Sequence, residues 1–118
     1  MPIQSFEQLA VWEKAHALVL DVYACTERFP GRERFGLISQ MRRAAVSVPA
    51  NIAEGFKRRG RGEKARFYNI AQASLEELRY YFILCRDLHY HDKPARQFQE
   101  ISDVGRLLSA LLRSTSAR

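Results

Sequence analysis

The chain has no long apolar run, very little cysteine and no glycine-rich phosphate loop, and each absence removes a class of function. No stretch approaches the roughly 18 uncharged apolar residues of a membrane-spanning helix, so no membrane partner is expected. Met1 to Glu7 hold no basic segment followed by an apolar one, which reads as the absence of a secretion signal. Only two cysteines, Cys25 and Cys85, occur, and both sit inside helical patterns. Two thiols so placed give no disulfide framework and read as small buried side chains, reduced in a cytoplasmic protein. Neither a Walker nor a dinucleotide-binding glycine pattern is present, and Gly60-Arg61-Gly62 lacks the preceding strand that either requires. Strand-like alternation and internal repeats are missing as well.

What remains is apolar residues at helical spacing, in a chain of 118 residues that fits one domain. Ser5 with Gln8 makes a capping box for a first helix over about 5–29, with an inner stripe of Leu9, Trp12, His16, Val19, Tyr23 and Thr26. Phe29-Pro30-Gly31 ends it. A second helix is expected over about 33–58, with Ile38, Met41, Ala45, Val48, Ile52 and Phe56 facing inward. Pro49 falls in its middle, and because the periodicity stays in phase across it, one kinked helix is expected rather than two short ones. A third helix over about 63–88 carries Phe67, Ala71, Ser74, Leu78, Tyr81, Cys85 and Leu88. The fourth, about 93–112, is capped by Asp92, has Pro94 in its first turn and presents Phe98, Ile101, Val104, Leu108 and Leu111. The tail from Ser114 to Arg118 should fray. Short connections force sequential helices to be antiparallel neighbours, so the expected architecture is an all-α, up-down-up-down antiparallel four-helix bundle over residues 1–118.

Two segments exceed the needs of a lone bundle. Tyr80 to Cys85 is apolar around the whole helix, including Tyr80, Phe82 and Ile83. The second helix is rich in small residues, with Ala44, Ser47, Pro49 and Ala50 available for close backbone approach. Both point to self-association through those residues.

No catalytic or metal constellation is complete. Glu13 and His16 have the spacing of a bundle di-iron motif, but the second such motif is absent. His16 falls on the inner stripe, where a satisfied core histidine is the commoner reading. Cys85 with His89, near His91 and Asp92, could start a zinc site, but no second pair completes it. No serine or threonine stands beside a histidine base in sequence, so nothing argues for nucleophilic catalysis. The chain is expected to be no enzyme and to need no metal or cofactor.

Charge is the remaining signal. The net charge is +6, and its excess is confined to residues 28–66, which hold eleven bases and three acids. Lys57, Arg58, Arg59, Arg61, Lys64 and Arg66 fall within ten residues, preceded by Arg42 and Arg43. Such a cluster is either a solvated face or a phosphate-binding patch, and the planar fork of arginine suits the latter. These eight residues are the candidate contacts to RNA or DNA. No aromatic residue interleaves with the loop arginines in sequence, so no stacking platform for single strands is indicated.

The segment Glu33–Gly55, ERFGLISQMRRAAVSVPANIAEG, resembles the four-helix-bundle family encoded in intervening sequences of bacterial 23S ribosomal RNA genes. Leu9-Ala10-Val11-Trp12, Phe67 with Asn69-Ile70-Ala71, and Ser74-Leu75-Glu76-Glu77-Leu78 are similar to that family too. More distantly the chain is similar to the accessory protein of diversity-generating retroelements, a basic pentameric barrel that binds nucleic acid and reverse transcriptase. The resemblance implies a cytosolic homopentamer with a nucleic-acid-binding or adaptor role, the latter docking a protein partner. It supplies no catalytic motif to carry over. Arg42, Arg43 and the bases after Gly55 match the family's basic positions.

Overall fold

The computed structural model describes residues 2–116, and no strand occurs among them. Four helices follow one another: α1 (Ala10–Thr26), α2 (Leu37–Lys57), α3 (Arg61–Asp87) and α4 (Ala95–Ser116). Each helix touches its neighbours in sequence, and α4 closes back onto α1, while the backbones of the diagonal pairs α1–α3 and α2–α4 do not come within 8 Å (Cα to Cα) among the described residues. That ring of neighbours is the contact pattern of an up-and-down bundle. The molecule measures 46 × 24 × 23 Å. A helix of 27 residues such as α3 is about 40 Å long at 1.5 Å per residue, so it spans most of the long axis.

The helix ends differ from the sequence expectation for local chemical reasons. The Ser5–Gln8 capping box does form, but it closes a short 3-10 turn over Phe6–Gln8. Leu9 is then extended, and α1 starts only at Ala10. Glu33 belongs to a second 3-10 turn, Gly31–Glu33, and not to α2. Its carboxylate accepts from the Leu37 N–H at 3.3 Å and from the Tyr90 hydroxyl at 2.9 Å, so it caps α2 from outside. Asp92 does not cap α4, because the helix starts only at Ala95, with Pro94 just before it and not in its first turn; the Asp92 carboxylate instead meets His89 at 2.9 Å. His89 has φ 63° and ends α3 in a Schellman turn, the Tyr90 N–H reaching Cys85 O and the His89 N–H reaching Arg86 O. At the far end α4 continues past Leu112 to Ser116, with Ser114 and Thr115 hydroxyls donating to Leu111 O. Residues 117 and 118 of the tail expected to fray lie outside the described residues.

The core is one cluster drawn from all four helices, including Leu18, Val22, Met41, Val48, Ile52, Tyr68, Leu78, Phe82, Val104 and Leu108. α2 runs unbroken through Pro49, which is buried. The stripes of α2 and α4 fall near the expected phase, but α1 is rotated. Its buried face is Val11, Ala15, Leu18, Val19, Val22 and Thr26. His16 is therefore exposed, not in the core, and its ring stacks on Trp12 at 5.1 Å. α3 buries Tyr68, Leu75 and Phe82 beside the expected Ala71, Leu78, Tyr81 and Cys85, and leaves Leu88 exposed.

The small residues of α2 are used largely within the subunit. Ala44, Ala45 and Gly55 are buried. A Cβ added at Gly55 would stand 2.6 Å from Tyr68 Cε1 on α3, so the glycine is what lets the two helices meet there.

Candidate nucleic-acid interface

The turn between α2 and α3 is only Arg58 to Gly60. It is short because Lys64, one turn into α3, reaches back to the end of α2. Its Nζ donates to Phe56 O at 2.7 Å and to Gly55 O at 3.2 Å, the latter accepting from the Arg58 N–H as well, so the last carbonyls of α2 are satisfied. Partial burial lowers the pKa of this ammonium from its usual value. Lys64 is thus a helix cap and not a free phosphate ligand.

Arg42 is occupied as well. Its Nε donates to Thr26 Oγ1 at 2.9 Å, its Nη2 to Tyr23 O at 3.3 Å, and the same nitrogen pairs with Glu27 at 3.4 Å. The guanidinium also lies 4.5 Å from the Tyr23 ring centroid. It ties α2 to the C-terminal turn of α1. Arg43 is exposed but sits fourteen residues before Lys57 on the same helix, about 20 Å away along the axis. The structure therefore does not bring Arg42 and Arg43 into one patch with the 57–66 cluster.

Five of the eight candidates remain at the turn. Lys57, Arg59 and Arg61 are exposed, with no hydrogen bond or ion pair to any described side chain. Arg58 pairs with Glu54 at 3.1 Å and lies over the Phe67 ring, 4.7 Å from its centroid. Arg66 approaches the same ring at 5.7 Å, and Lys64 approaches Phe56 at 5.5 Å. Aromatics missing from the loop itself are thus supplied by the flanking helices. Spacing along one segment could not show this; only the fold-back of α3 on α2 does. A ninth base escaped notice too. The Gln72–Ser109 hydrogen bond, 3.2 Å, sets the register of α4 on α3, so Arg113 on the last turn of α4 lies toward this end of the bundle.

The residues read as an interface divide three ways. Ala44, Pro49 and Phe82 are buried in the subunit's own core and present nothing to a second copy. Ser47 and Ile83 are half-buried, and the Ser47 hydroxyl is engaged by Ser74 and Asn51. Ala50 and Tyr80 are exposed. Sequence reasoning missed Phe35, 90% exposed at the start of α2, with Leu20, Tyr23 and Val46 also open to solvent. Phe35, Tyr23, Ile38, Val46 and Ala50 line one open groove, rimmed by Arg34 and Arg43.

Cys85 does not meet His89, whereas Cys25 shares a pocket with His91 and Asp92. Cys85 is buried against Met41, and burial pushes its thiol up to about 12, whereas His89 is exposed. Among the described residues no group of three or more His, Cys, Asp or Glu side chains is placed to hold a metal ion. Nor is any helix long and apolar enough to cross a membrane.

The class these features define is a basic all-α four-helix bundle with a cationic turn at one end. Residues 7–113 match the family described as 23S rRNA-intervening sequence protein, nearly the whole chain, and the chain belongs to that family. No match was found among the curated proteins.

Proposed function

We propose that the chain is a non-enzymatic, cytoplasmic, homo-oligomeric protein, assembled as a pentamer, that binds nucleic acid through the α2–α3 turn. The observation that carries this reading is the trio Lys57, Arg59 and Arg61, exposed on one short turn and the helix ends that flank it, with no acidic partner among the described residues. Unpaired cations on a surface release condensed counterions when they replace them on a phosphate backbone. Assembly would multiply the cationic turns, and so multiply the salt sensitivity. A mobility shift of RNA and of duplex DNA across a salt series tests it. Binding should weaken steeply as salt rises, and charge reversal at Arg59 and Arg61 should abolish it. No binding at low salt would end this reading.

A protein-interaction adaptor is the second reading, favoured by the exposed Phe35 beside Ile38, Val46, Arg34 and Arg43. A partner such as a nucleic-acid enzyme would dock on that groove. Its capture would survive nuclease treatment and the Arg59/Arg61 charge reversal, but not Phe35→Asp.

A further inference from the structure

We propose that the basic end prefers single-stranded nucleic acid, stacking an unpaired base on the Arg58 guanidinium where it lies over Phe67. This rests on the reading that the α2–α3 turn binds nucleic acid. Arg58 differs from its neighbours. Its charge is countered by Glu54 at 3.1 Å, and its guanidinium carbon lies over the Phe67 ring, 4.7 Å from the centroid. A guanidinium next to a carboxylate is a poor phosphate ligand. Its side chain is nevertheless 45% exposed, so a ligand can reach it from solvent. Arginine planes stack on nucleobases, and an arginine already laid on an aromatic ring has lost its freedom before the base arrives.

The charges around it fit the same ligand. Arg59 and Arg61 are free and adjacent, and Lys57 is one residue before Arg58. Phosphates on either side of a stacked base would meet these three. A duplex keeps its base faces inside the helix, so it could use the phosphate contacts and not the stack. Stacking is indifferent to base identity, because every base has a π-face, and the preference is therefore for strandedness and not for sequence.

The experiment uses the full chain and a fluorescein-labelled single-stranded oligonucleotide of mixed sequence, compared with its own duplex by anisotropy at one salt concentration. The expected result is about tenfold tighter binding of the single strand, the scale of one stacked base. Arg58→Lys keeps the charge and removes the plane, so it should erase that margin and leave duplex affinity unchanged. Arg86→Lys, at the far end of α3 from the turn, should leave both affinities in place. Phe67→Leu should act like Arg58→Lys, with circular dichroism confirming its helix content; if it unfolds, Arg58→Lys alone decides. Equal affinities for both forms, or an Arg58→Lys protein that keeps the margin, overturns the stacking proposal and leaves phosphate binding standing. Failure to bind either form overturns both.

Discussion

Glu100 is the side chain whose surroundings conflict most with its charge. One of its carboxylate oxygens is shielded from solvent and has no hydrogen-bond partner. Asp21, across the α1–α4 contact, already accepts from Arg96 at 2.8 Å and Gln97 at 3.1 Å. Desolvation first, then the neighbouring Asp21 carboxylate, push the Glu100 carboxyl up to about 7. The folded chain therefore holds this proton more tightly than the unfolded chain does. The stabilisation is present below the ordinary carboxylate range and is lost as pH rises through about 7. Glu100→Gln should remove that loss, so its urea midpoint exceeds the wild type's under mildly alkaline conditions and the two converge in acid. A wild-type midpoint that does not fall as pH rises would refute the assignment. None of this was legible in the sequence, where Asp21 and Glu100 are separate acids on different helices. The same holds for Arg42 and Lys64. A base that caps a helix end and a base open to solvent read alike until the chain folds back.

At the scale of helices, α2 and α3 make the most intimate contact, and Gly55 is where it closes. Alanine is a better helix former than glycine by about 1 kcal/mol. At Gly55 that gain is outweighed, because the new Cβ would meet the Tyr68 ring at 2.6 Å and 2.8 Å, and overpacking of this kind costs about 1–3 kcal/mol. Gly55→Ala should lower the thermal midpoint by several degrees. An unchanged or higher midpoint would mean that the ring moves aside freely. The existence and order of the four helices were legible because their apolar residues recur every three or four positions. The rotation of α1 was not. Leu20 and Tyr23 lie on its open side and are as apolar as the residues it buries. With two apolar stripes on one helix, periodicity alone does not choose between them. Ala44 and Pro49, buried within the subunit, likewise looked like part of an outward-facing surface until the partner helices were in place.

At the scale of the molecule, the surface is uneven. Leu20, Tyr23, Phe35 and Val46 are exposed on the side of α1 and α2, and Ile70 and Tyr80 on α3. Exposed apolar residues gathered on two sides of a small bundle are what a repeating assembly covers. Light scattering on a sizing column should give a mass of several chains, and Phe35→Asp should reduce it. A wild-type mass of one chain would remove assembly from the proposed function. The family and the bundle could be read from the long α2 segment before any coordinates. The division of its cations into caps and free ends could not.

The Lys64 cap has a kinetic side. By gripping Gly55 O and Phe56 O it ties α3 to the end of α2 across a three-residue turn, so Arg59 and Arg61 sit on a mount anchored from both helices. An anion that arrives there meets charges already in position, and little freedom of the backbone remains to be lost on capture. Such a mount favours quick, indiscriminate capture of a polyanion. Any lasting hold on a polymer would then come from several mounts acting together.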